Sequence, residues 1–239
     1  MIKIFLKDGK TIEVEKGSKV AEIASKLSIS LGKKALGAKL NGKVVELMQA
    51  VDEECKLEIL TFEDDEGKKI LRHTASHILA QAVKRLYPDV KLAIGPSIDN
   101  GFYYDLDAEF SFTPELLEKI EAEMKKIVKE NEKLERFELP RDEAIKLMKE
   151  KDEPYKVKLI EDLPEDEVIS FYKQGDFIDL CAGPHLPSTG KVKAFKLLSI
   201  AGAYWRGNEK NKMLQRIYGT AFEKKKDLED YLNMMEEAK

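Results

Sequence analysis

Apolar residues alternate at Ile2, Ile4 and Leu6, give way to the polar "KDGK", and alternate again through "TIEVE". A period of two on both sides of a glycine-containing turn predicts a β-hairpin. After "KGS" the period lengthens: Val20, Ile23, Ala24 and Leu27 share one helical face, with Ser18 expected as the N-cap. Two strand-like runs follow, "AKLNGKVVEL" with its turn at Asn41 and Gly42, and "KLEIL" at 56–60. The order ββαββ in so short a stretch predicts a β-grasp, ubiquitin-like domain over residues 1–62.

The charged run "FEDDEGKK" reads as a linker to a second domain, residues 63–222. An amphipathic helix is expected over 70–86, closed by "YPD". Residues 91–113 are rich in glycine and alternating aromatics and predict strands and turns. Pro114 behind Thr113 opens a helix expected to run to 137, with Leu117, Ile120, Met124, Ile127, Val128 and Leu134 on its stripe. "LPRDEAIKLMKEK" predicts a shorter helix, and strands are expected at "YKVKLI", "VISFYKQGDFIDLC" and "VKAFKLLSIAGAYW". The class predicted is α+β, with a mostly antiparallel sheet. Residues 223–239 read as helix to the last residue with no stop signal, the expected start of a linker helix into a longer parent.

A hydrophobic fraction of 43% in 239 residues argues against disorder. No apolar run is long enough to span a bilayer, and "MIKIFLKDGK" lacks the pattern of a secretion signal, so a cytoplasmic protein is expected. Two cysteines are too few for a disulfide framework, and Cys55 in "DEECKLEIL" reads as a small half-buried strand residue without function. Charge matters more for its placement than its total of −4. Residues 191–216 hold Lys191, Lys193, Lys196, Arg206, Lys210, Lys212 and Arg216 against Glu209 alone. Such a stretch reads either as a phosphate-binding surface or as a solvated face.

The three histidines fall in two motifs, "HTASH" at 73–77 and "CAGPH" at 181–185. On a helix His73 and His77 lie within about 40° of each other, with Lys84 on the same face and the aliphatic residues Leu71, Ala75, Ile78, Ala82 and Leu86 opposite. That arrangement argues against core packing and leaves a cavity-facing pair or two exposed histidines. No Glu follows His73, so the zinc-protease motif fails at its general base. Asp179 and Cys181 close an apolar strand, and Gly183, Pro184 and Pro187 predict a rigid loop fixing His185 relative to Cys181. By chemistry alone, three imidazoles and a thiolate suit tetrahedral zinc.

"HTASHILAQA", "IGPSIDNGFYYD", "PYKVKLIEDL", "FIDLCAGPHLPSTGKVKAFKLLSIAGAYWRG" and "MLQRIYGTAF" together resemble the editing domain of bacterial threonyl-tRNA synthetases, and the first 62 residues resemble the TGS domain of that family. The alanyl relatives carry C-x-G-T-H in the last motif, where Pro184 stands here, so the threonyl branch fits better. The resemblance implies hydrolysis of serine wrongly esterified to tRNA(Thr). A pocket that accepts threonine rejects serine, one methyl smaller, by only about 1–3 kcal/mol, so a second sieve is needed.

Six residues are implied as catalytic. His73, His77 and His185 would hold and deprotonate water, Lys156 would stabilise the developing negative charge, and Asp179 would pair with the serine ammonium. Cys181 would act as nucleophile, polar liner or metal ligand. Gly95 and Pro96 with Tyr103 and Tyr104 would form a wall and a stacking surface for the terminal adenosine, or else a strand turn with core aromatics. The basic residues between Lys191 and Arg216 would follow the tRNA acceptor arm.

The threonyl branch implies editing without a metal, whereas the alanyl branch implies zinc on His73, His77, Cys181 and His185. ATP, magnesium and another zinc would belong to a catalytic core outside this chain. The parent would be a homodimer and the piece a monomer, with no membrane partner. Two rivals remain, a zinc-dependent alanyl-tRNA deacylase and a non-catalytic RNA-binding module.

Overall fold

A computed structural model describes residues 1–239. Backbone contacts divide the chain into two units, Met1–Leu71 with Gly183–Pro187, and Arg72–Ala182 with Ser188–Lys239. No helix is long and apolar enough to cross a membrane.

In the first unit a five-stranded sheet runs in the order Thr11–Val14, Ile2–Leu6, Cys55–Leu60, Gly37–Leu40, Lys43–Val45. Its first and last long strands pair in parallel, Ile4 opposite Cys55, and the other pairings are antiparallel. Helix Val20–Leu27 lays Val20, Ile23 and Ala24 into a core with Ile4, Val14, Leu47 and Leu57, which is the β-grasp arrangement. Cys55 is buried in that core, where desolvation raises its thiol pKa. Ser18 is not the cap: its hydroxyl donates to Glu15 O at 2.7 Å, and the N-cap is Lys19. A further short helix, Ile29–Lys34, starts from Ser28, whose Oγ accepts from Leu31 N at 2.9 Å.

The long helix begins earlier than its apolar pattern indicates, at Asp65, and ends at Leu86. Asp65 and Glu66 suit the positive end of the helix dipole, and five of the eight residues of the supposed linker are helix. In the second unit, strands Ala194–Tyr204, Met213–Phe222, Gly101–Asp107 and Lys91–Leu92 form an antiparallel sheet in that order. A three-stranded sheet joins Leu134–Glu138, Ser170–Gln174 and Phe177–Leu180. Helix Lys225–Glu237 ends the fold.

Two sequence expectations fail here for identifiable reasons. The helix from Pro114 stops at Glu130 because Asn131 takes the left-handed conformation, φ 51° and ψ 52°, and Leu134 then reaches the core from a strand instead of a further helical turn. "YKVKLI" is helical, within Pro154–Asp162. Its alternating Val157 and Leu159 mimic a strand, yet Tyr155, Lys156, Val157 and Ile160 are the buried positions. Pro154 in the first turn decides the matter, since its missing N–H costs nothing there.

Candidate functional site

Four elements meet where the second unit buries its polar groups. The long helix supplies His73 and His77 one turn apart, their ring centroids 5.0 Å from each other and nearly perpendicular at 85°. Leu71, Ala75, Ile78 and Ala82 face the core as expected, but Thr74, Ser76, His77 and Gln81 are buried as well. The histidine face is therefore enclosed: His77 is 3% exposed and His73 half-buried. Arg72 ties this helix to the sheet through Nε and the Ala221 carbonyl at 3.0 Å. Gln174 ties it to the smaller sheet, donating to Gln81 Oε1 at 2.7 Å and to the His77 carbonyl at 3.4 Å.

Helix Pro154–Asp162 contributes Lys156, strand Gly101–Asp107 contributes Tyr104, and strand Phe177–Leu180 contributes Asp179. Lys156 Nζ lies 2.9 Å from Asp179 Oδ1 and donates to the Tyr104 hydroxyl at 2.8 Å. That hydroxyl donates to Asp179 Oδ2 at 2.7 Å, closing a triangle of one cation, one anion and one phenol. His77 Nδ1 is 3.5 Å from the same Oδ2. Lys156, Tyr104 and Asp179 are all at most 3% exposed. A buried lysine is costly unless its charge is met at once, and charges held this way gather at functional sites.

The enclosure sets protonation. His77 is pushed well below its usual 6.5, first by burial and then by the charges of His73 and Lys156. Tyr104 is pushed well above 10, first by burial and then by the Asp179 carboxylate. At neutral pH the site thus holds a neutral imidazole and an intact phenol.

Gly95 is part of this geometry. A Cβ there would sit 2.1 Å from Tyr104 Cδ2, so only glycine lets the tyrosine ring lie where Lys156 and Asp179 need it. The Gly95 carbonyl is also 2.6 Å from Ser76 Oγ, between the two histidines on the long helix. Pro96 follows, half-buried, its carbonyl accepting from Tyr103 N at 3.2 Å.

Cys181 is half-buried at the end of the Asp179 strand, with Sγ 3.5 Å from His73 Nε2. Its backbone is fixed on both sides by Ser170, whose carbonyl accepts from Cys181 N at 3.1 Å and whose Oγ donates to Cys181 O at 2.6 Å. Metal-ligating atoms of His73, His77 and Cys181 lie within 4.8 Å of one another. His185 is buried, 1% exposed, in the segment Gly183–Pro187.

Three expectations change. Tyr104 is fully buried and cannot stack on a base, and it is the hub of the polar network instead. Tyr103 points to the other face of the sheet, where Arg216 sits 3.8 Å over its ring and Tyr218 meets it edge-on at 5.8 Å. Adjacent strand residues alternate in direction, which is the sequence signal that would have separated the two. Asp179 has both oxygens engaged and is 1% exposed, so it holds Lys156 rather than waiting for an ammonium from solvent.

The basic stretch is also less bare than its sequence. Lys196 pairs with Glu121 at 3.2 Å, Lys212 with Asp107 at 2.8 Å, Arg216 with Asp105 at 2.7 Å, and Arg206 with Asp162. Lys191 is half-buried and its pKa is lowered, by burial first and then by Lys193; Lys193 and Lys210 are exposed.

The chain is similar to known proteins in two regions and along its whole length. Residues 169–218 match the family described as "Threonyl and Alanyl tRNA synthetase second additional domain", and residues 2–61 match the TGS domain. Over all 239 residues the chain is 79% identical to a threonine–tRNA ligase of Clostridium kluyveri and 74% identical to one of Clostridium tetani. It spans 38% and 37% of those two proteins.

The His77 shift has a thermodynamic consequence in the metal-free chain. Its folded pKa lies below the unfolded value of 6.5, so the folded state binds fewer protons in the window between them. The stability involved is fully present above that value and is lost as pH falls below it, by up to about 1.4 kcal/mol per pH unit. Urea unfolding measured at about pH 7.5 and about pH 5.5 should show a smaller acid loss in His77→Gln than in the unsubstituted chain. Equal losses in the two proteins would contradict a buried neutral His77.

Proposed function

In a chain that carries the TGS and second additional domains of the threonine–tRNA ligases, we propose that residues 63–222 hydrolyse the ester of serine wrongly joined to tRNA(Thr), releasing serine and free tRNA. The observation that carries this reading is the buried Lys156–Asp179–Tyr104 triangle beside His73, His77 and Cys181. Ester hydrolysis needs a base for water, a positive group for the oxygen that gains charge, and a proton for the departing alcohol.

His73, the more exposed of the helical pair, takes the proton from water as its oxygen bonds to the ester carbonyl carbon. Lys156, aimed by Asp179 and Tyr104, stabilises the carbonyl oxygen as it becomes negative. The bond to the ribose oxygen then breaks, that oxygen receives the proton held by His73, and serine leaves as the free acid. His77, neutral at pH 7, orients water through its ring nitrogens, and the resemblance implies the same role for His185. Cys181 lines the pocket and holds the His73 ring. Gly95 and Pro96 form the wall that leaves no room for the methyl group of threonine. Tyr103 belongs to the outer face of the sheet and contributes through tRNA contact, with Lys191, Lys193, Lys196, Arg206, Lys210, Lys212 and Arg216 following the acceptor arm.

The donor types of His73, His77, Cys181 and His185 suit zinc, which when bound would polarise a carbonyl or acidify water. With all four as ligands a tetrahedral ion keeps no position for water, the pattern of a structural site. Lys156 already supplies a positive charge beside His77, and we assign the hydrolysis to the side chains alone. The whole protein would join threonine to tRNA(Thr) with ATP in the cytoplasm, as a homodimer, with ATP, magnesium and a separate zinc bound outside these residues. The present chain alone would be a monomer.

After chelation, the chain should release serine from seryl-tRNA(Thr) and leave threonyl-tRNA(Thr) intact, and His73→Ala should abolish release. Turnover of alanyl-tRNA that requires zinc would favour the alanyl deacylase instead, and no turnover of any ester would leave an RNA-binding module. Binding of tRNA should lose salt sensitivity in an Arg206→Ala, Lys210→Ala, Lys212→Ala variant, by about 0.9 in log–log slope for each phosphate contact removed. An unchanged slope would take this stretch out of the interface.

A further inference from the structure

Lys156 is carried by a nine-residue helix, and its buried anchor is the residue just before it. Glu153 is 6% exposed. Its Oε1 accepts from Leu92 N at 3.0 Å, and its Oε2 lies 3.3 Å from Lys84 Nζ. Leu92 is paired with Leu106, two residues beyond Tyr104 on the same strand. Lys84 is on the long helix two turns beyond His77, and its direction is fixed by hydrogen bonds to Pro88 O at 2.8 Å and Val90 O at 2.9 Å. One carboxylate at the start of the Lys156 helix therefore touches the helix that carries His77 and the strand paired with the one that carries Tyr104.

Starting a helix does not require such a group. N-caps are short polar side chains that bond the first-turn amides, whereas the Glu153 side chain makes no cap hydrogen bond. The neighbouring Asp152–Lys91 pair is different in kind: Asp152 is 78% exposed, and solvent weakens its hold. Burial raises the pKa of Glu153, opposed by the Leu92 amide and the Lys84 charge, so its carboxylate is tied to the contacts that hold it. Lys156 is three positions beyond Glu153, about 5 Å of helix, too little to absorb a shift at its start.

We propose that Glu153, held by Lys84, is the positioning residue for Lys156, fixing the first turn of its helix so that the ammonium meets Asp179 and Tyr104. The kinetic part of this proposal rests on the hydrolytic reading above, and the positional part does not. Glu153→Gln, Glu153→Ala and Lys84→Met are compared with the unsubstituted 239-residue chain by two measurements. One is the rate at which an amine-acetylating reagent labels Lys156, read by mass spectrometry under folded conditions. The other is kcat and KM for seryl-tRNA hydrolysis.

Lys156 labelling should accelerate in the Ala and Met variants, with kcat falling by about 10- to 100-fold and KM changing by less than about twofold. Glu153→Gln, which keeps an acceptor for the Leu92 amide, should lie between. Labelling of Lys156 at the unsubstituted rate in every folded variant overturns the proposal, whatever the kinetics. If Glu153→Ala fails to fold, the other two variants decide. An unsubstituted chain without seryl-tRNA hydrolysis removes the hydrolytic reading and leaves the labelling rates to judge the positioning.

Discussion

The buried ion pair between Lys156 and Asp179 is the constraint from which the second unit takes its local form. An ammonium and a carboxylate at most 3% exposed gain little unless each also has a hydrogen-bond partner. Tyr104 serves both, receiving from Lys156 and giving to Asp179. That dual role dictates its ring position, and the ring position dictates Gly95, where any side chain would collide with it. The Gly95 carbonyl in turn meets Ser76, between the histidines. A chain of close contacts thus leads from one charge pair to the helix that carries His73 and His77.

The same enclosure divides labour among groups that look alike in sequence. Two histidines one turn apart differ in exposure, and the deeper one is held neutral by burial and by neighbouring positive charge. Two adjacent tyrosines differ more, one a buried proton donor to Asp179, the other a partner of Arg216 on the opposite face. Cys181 lies beside His73, with its backbone fixed by Ser170.

The β-grasp domain was legible because its alternation and turns are local signals, and the helix at 20–27 appears where its apolar spacing places it. His73, His77, Asp179 and Cys181 stand out in the sequence as residue types suited to chemistry, and the structure brings them near one another. The partners were not. Lys156 reads as a strand lysine because "YKVKLI" alternates, and its burial depends on Asp179, 23 positions away along the chain. The ion pairs of Lys196, Lys212 and Arg216 likewise use acids distant in sequence, so a local charge excess overstated the free positive surface. Helix ends failed where one residue decided them, as at Asn131.

We propose that the charge triangle aims Lys156 at the reacting ester, and Tyr104→Phe tests this most directly, since it removes one oxygen and keeps the ring against Gly95. Single-turnover hydrolysis of seryl-tRNA(Thr) should slow by about 10- to 100-fold in this variant while its affinity for the uncharged tRNA stays the same. A rate equal to that of the unsubstituted chain would contradict the account.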